Sequence, residues 1–111
     1  MAYDEALAAR IRDHVLDLAP DAAEQKMFGG LAFLIGGNMA VAASGNGGIM
    51  LRCSPADTDR LLEEPGAETM VMRGRAMDGW LRVDDAEIDE AAFARWVRIG
   101  VDFASSLPPK R

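Results

Sequence analysis

Histidine and cysteine occur once each in this chain, and aromatic residues make up only 6% of it. The lone Cys53 excludes an intramolecular disulfide and every zinc pattern built from several cysteines. The lone His14 has no second ligand at helical spacing, so a histidine metal site has nothing local to build on. Basic residues are also short: 12 Lys and Arg stand against 18 Asp and Glu, a net charge of −6. Diffuse attraction to phosphate backbones is therefore not expected, and nucleic-acid contact would need a local basic patch. Apolar runs end well before the roughly 18 residues needed to span a bilayer. The opening MAYDEALAAR is acidic where a signal peptide would be basic and then apolar. A cytoplasmic protein without membrane contact is the expectation.

What the chain does have is an apolar half and 11 glycines. At 111 residues it reads as one domain, residues 1–111, able to bury roughly two-thirds of its unfolded surface. The stretch KMFGGLAFLIGGNMAVAAS, residues 26–44, has too many glycines for a helix. Gly36-Gly37-Asn38 suits a tight turn, because Gly and Asn adopt positive φ at little cost. Met27 to Ile35 and Met39 to Ser44 are accordingly expected to pair as strands. In the first of these, Met27, Gly29, Leu31, Phe33 and Ile35 should face one way and Phe28, Gly30, Ala32 and Leu34 the other. Both sets are mostly apolar, as in a central strand or one whose second face is closed by a partner. The Gly29-Gly30 pair reads as a bulge, a bend or a close approach, or else as exposed backbone N–H groups for an anion; phosphate loops, however, open a helix, and here a strand follows.

Gly45-Asn46-Gly47-Gly48 makes a second turn, so Ile49 to Cys53 is a third strand, with Met50 and Arg52 on the side opposite Ile49, Leu51 and Cys53. Cys53 then reads as a small core residue rather than a nucleophile. Before the strands, Leu7, Ile11, Val15 and Leu18 form one stripe of a helix over 4–18, with His14 at the edge of the core. Ser54-Pro55-Ala56-Asp57 has the composition of a helix start, predicting a short helix over about 55–63. Thr69 to Arg73 and Met77 to Val83 read as two further strands, placing Trp80 and Arg82 together on one face. The acidic residues from Asp84 to Glu90 precede a final helix with a stripe of Phe93, Trp96, Val97, Gly100 and Phe103, and Leu107-Pro108-Pro109 ends it. The order is α-β-β-β-α-β-β-α: an α+β domain with a twisted, mainly antiparallel sheet of about five strands and helices packed on it.

Several of these stretches carry a resemblance. Met27-Phe28-Gly29-Gly30, then Phe33 and Gly37-Asn38-Met39, a glycine-rich turn, Gly74-Arg75-Ala76-Met77-Asp78-Gly79-Trp80 and the closing Ser106-Leu107-Pro108-Pro109-Lys110 resemble, in order, the N-terminal domain of the TfoX/Sxy family. Ala76 stands where relatives carry proline, which should loosen that turn. The resemblance implies a small cytoplasmic α+β domain, associated in its best-known members with regulating natural competence for DNA uptake together with a cyclic-AMP-responsive transcription factor. Those regulators carry a second, C-terminal domain, and this chain is expected to stand alone without it.

Three classes of function remain open. A regulatory protein-interaction domain fits the resemblance and the two-sided apolar strands; its expected surface is Met27, Phe28, Gly29, Gly30, Met50, Arg52, Trp80 and Arg82, and its partner a protein, a second copy forming a homodimer among the choices. Nucleic acid could meet a patch of Arg52, Arg82 and Trp80 flanked by Lys26, Arg73 and Arg75, although direct contact is not the expectation. An enzyme or small-molecule binder would have to recruit His14, Cys53 or Asp78, since the other acidic residues sit where helix capping explains them. No catalytic residue, cofactor or metal ligand is assigned.

Overall fold

The computed structural model describes residues 3–27, 29–72 and 74–109. Helix α1 (Glu5–Leu18) starts where the Asp4 carboxylate accepts the backbone N–H groups of Ala6 and Leu7, which an unformed first turn would leave unpaired. It buries Leu7, Ala8, Ile11 and Val15 along one stripe. Strands β1 (Ala23–Met27), β2 (Gly30–Ile35), β3 (Asn38–Ala43) and β4 (Ile49–Arg52) follow as a meander. A 3-10 turn (Pro55–Asp57) and a one-turn helix α2 (Thr58–Leu61) lead to β5 (Ala67–Met72) and β6 (Arg75–Val83); α3 (Glu90–Ser106) closes the fold. The sheet is antiparallel throughout, in the order β1-β2-β3-β4-β6-β5.

The α+β architecture is as expected, with six strands instead of about five. The difference lies at Gly29-Gly30. The expected strand from Met27 to Ile35 is two strands, because Gly29 adopts φ 74° and Met27 pairs directly with Gly30. Of the readings open for the glycine pair, the structure has a bend, sharp enough to reverse the chain at Gly29, and a close approach, of Gly30 to the Ala43 carbonyl. The reversal also corrects the facing of Met27, which lies on the side of Ala32 and Leu34, not of Leu31 and Phe33. The predicted helix over 55–63 is shorter than expected. Ser54 occupies its N-cap without a side-chain bond to the turn.

One face of the sheet carries the core. Leu31, Phe33, Val41, Ile49, Leu51, Leu81 and Val83 meet Leu7, Ile11 and Val15 of α1 and Phe93, Trp96, Val97 and Val101 of α3 in one buried cluster. β3 is buried along its whole length. Its register against β2 shifts between Phe33 and Leu34, which pair with Val41 and Met39 and leave Ala40 as an extra residue. Here α3 comes closest: a β-carbon on Gly100 would collide with the Ala40 carbonyl oxygen. No other residue than glycine lets this helix lie against strand backbone.

Candidate functional site

The second face of the sheet has its own, smaller cluster, and no helical residue belongs to it among the described residues. Ala32, Met39 and Ala42 are buried there beneath half-buried Met27, Leu34, Met50 and Trp80. Period-two alternation explains the membership: Ala32 pairs with Ala42, Ala42 with Met50, Arg52 with Trp80 and Met50 with Arg82, so all six side chains rise on one side. Trp80 is therefore not simply exposed. It covers small residues while leaving part of its ring to solvent.

Of the residues expected at an interaction surface, this face unites Met27, Met50, Arg52, Trp80 and Arg82. Gly29 is exposed in the β1–β2 turn with open space around it. Gly30 does not belong to the surface: it is buried against the Ala43 carbonyl, where any side chain would collide. Phe28 lies outside the described residues. Beside Met50 the face dips into a groove of about 330 Å³ whose walls include Glu68, Met70, Val71 and Arg82.

The two arginines of this face differ. Arg82 donates through Nη2 to the carbonyl oxygens of Asn46, at 2.9 Å, and Gly47, so it fastens the β3–β4 turn. Arg52 makes no hydrogen bond or ion pair among the described residues. Its guanidinium lies 5.0 Å from the Trp80 ring centroid and 5.3 Å from that of Phe103, within cation–π range of both. Its Nε–H is shut off from solvent without an acceptor among the described residues, an arrangement that costs on the order of 1–3 kcal/mol. The sequence places Phe103 in the packing stripe of the last helix, and nothing local links positions 52 and 103.

The nucleic-acid patch assembles only in part. Lys26 pairs with Leu31 and so projects on the helix side, Arg75 is exposed at the start of β6, and Arg73 lies outside the described residues. The candidate catalytic groups are dispersed. His14 Nε2 and Arg10 Nη2 each lie 2.8 Å from the Glu90 carboxylate, joining α1 to α3, and His14 stacks beside Phe93. The His14 hydrogen bond, then that of Arg10, holds the Glu90 carboxyl below the ordinary range. Cys53 is buried, and burial pushes its thiol up from the ordinary value against a weaker opposing contact with Thr58. The Thr58 hydroxyl also accepts the Gly79 N–H at 2.9 Å, giving this residue a structural task. Asp78 is exposed, and no strand carboxylate lines the groove beside His14. Among the described residues no group of three or more His, Cys, Asp or Glu is placed to hold a metal ion, and no helix is long and apolar enough to cross a membrane.

No curated protein and no solved structure matches the chain. The family model described as the TfoX N-terminal domain matches residues 14–104, which takes in both the Met27–Gly30 turn and the Arg52–Trp80 corner. With the match running from the middle of α1 almost to the end of α3, the chain belongs to the TfoX N-terminal domain family.

Proposed function

We propose that this chain is a non-enzymatic regulatory domain that binds a protein partner through the open face of its sheet. The observation that carries the reading is the separate cluster of Met27, Leu34, Met50 and Trp80 over Ala32, Met39 and Ala42, to which no helical residue belongs among the described residues. Each half-buried apolar side chain gains roughly 25 cal/mol for every Å² that a partner removes from water. Methionine and tryptophan suit such a surface, the one because its thioether chain adapts to varied shapes, the other because it offers a large rigid contact. Family membership supports the regulatory part, since the resemblance implies control of gene expression through other proteins.

The test is affinity capture from the native cell extract with the wild-type chain, Met50→Glu and Trp80→Ala. A charge in place of Met50, or loss of the Trp80 ring, should release proteins that the wild type retains, while all three chains keep their circular-dichroism spectra. Retention of the same proteins by all three would overturn the reading, and so would turnover of a substrate by the isolated chain. Sedimentation velocity over a concentration series then tells a second copy of the chain from a different protein.

A further inference from the structure

The corner where the open face meets the C-terminal half of α3 holds an arginine without a counter-ion among the described residues. Five ion pairs join described residues, and their arginines are Arg10, Arg12, Arg60 and Arg95; Arg52 is in none of them. It is nonetheless half-buried and held between two rings, Trp80 and Phe103. An exposed ion pair is weak because water screens the attraction and two mobile side chains must be ordered. At Arg52 much of that has already happened on folding: stacking orders the guanidinium, and its Nε–H is already away from water. The planar head matches a carboxylate with two parallel N–H donors.

The charge around it agrees. At its paired positions the open face presents Gln25, Met27, Met50, Arg52, Trp80 and Arg82, with one carboxylate, Glu68, which stands opposite Arg82 and not Arg52. We infer that Arg52 is an anchor for a side-chain carboxylate, an Asp or Glu of another protein carried in a segment whose apolar neighbours lie on Met27, Met50 and Trp80. The inference rests on the open face being a protein-binding surface and names the chemistry of its partner. Apolar flanks favour a polypeptide over nucleic acid, whose repeated phosphates the −6 chain repels. A second copy would bring one carboxylate of its own face, Glu68; dimerisation of the wild-type chain in sedimentation velocity that Arg52→Gln abolishes would overturn a different protein as the occupant.

The experiment screens short, C-terminally amidated peptides, with Asp or Glu set among Leu, Met and Phe, against the wild-type chain. Each retained peptide is then compared with its Gln or Asn counterpart by fluorescence polarisation. Retained peptides should carry the carboxylate, and the amide counterparts should bind at least tenfold more weakly, as for a desolvated charge pair. Arg52→Gln should remove that preference, Arg52→Lys should restore only part of it, and Trp80→Ala should weaken acid and amide peptides alike. In the wild-type chain the Nε–Hε nuclear resonance of Arg52 should move on adding an acid peptide and stay in place with its amide twin, a readout independent of how the variants fold. Equal binding of acid and amide peptides, or an unmoved resonance, overturns the carboxylate anchor and leaves the protein-binding face standing. Retention of no peptide overturns both. Salt-sensitive binding of single-stranded oligonucleotides that shifts the Arg52 resonance overturns the inference in favour of phosphate.

Discussion

Gly30 shows how one missing side chain does two different jobs in the reading of a site. In the sequence it belongs to a glycine pair that invites an interaction role, whereas in the fold its hydrogen faces the Ala43 carbonyl and the Gly45 N–H. Gly30→Ala should therefore cost about 1–3 kcal/mol, the usual price of forcing an atom into packed backbone, against an entropic gain of at most about 1 kcal/mol from removing a glycine. Urea unfolding should register that loss, while partner binding per folded molecule stays unchanged; a variant of wild-type stability with impaired binding would return Gly30 to the surface. Much of the open face was legible at this scale, since strand alternation alone set Met50 with Arg52 and Trp80 with Arg82. What alternation could not supply was the second ring on Arg52. Phe103 is 51 positions away along the sequence, 103 − 52, and only the closing of α3 over the sheet brings the two together.

At the scale of elements, α1 is tied at two points by carboxylates. Arg12 of α1 forms a two-pronged pair with Glu24 of β1, with Nε–Oε2 at 2.6 Å and Nη2–Oε1 at 2.9 Å, and Arg10 and His14 share Glu90 of α3. The Arg12 hydrogen bond holds the Glu24 carboxyl below its ordinary value, as the His14 contact does for Glu90. A carboxylate depressed in the fold favours the native state above its unfolded pKa, about 4.3 for glutamate, and that contribution fades as pH falls through the lower folded value. Stability of the wild type should thus decline below about pH 4.3, and the double variant Glu24→Gln, Glu90→Gln should have a flatter acid limb. Coincident acid limbs in a pH series of thermal melts would remove these two ties from the account. The same elements show where sequence reading stopped. α1 and α3 announce themselves by stripe and cap, but β1, Ala-Glu-Gln-Lys-Met, is polar and mostly exposed, so no periodic pattern marks it as a strand. It exists because β2 offers it an edge and because Gly29 can turn at φ 74°, facts of pairing rather than of composition.

For the whole molecule, protection should follow position in the sheet. β3 lies between β2 and β4 and is buried on both faces, whereas β5 is an edge strand with Val71 61% exposed. Amide hydrogen exchange should therefore be slowest in β3 and β4, at free energies near that of global unfolding, and faster in β1 and β5. Uniform protection across the sheet would contradict the layering. The additional residue at Ala40 and the bare backbone at Gly100 occupy the same few ångströms, so neither is free to drift alone. Deleting the one or enlarging the other separates helix from strand, and a lineage that alters either position must alter its counterpart as well. The two behave as a single inherited character written in two places.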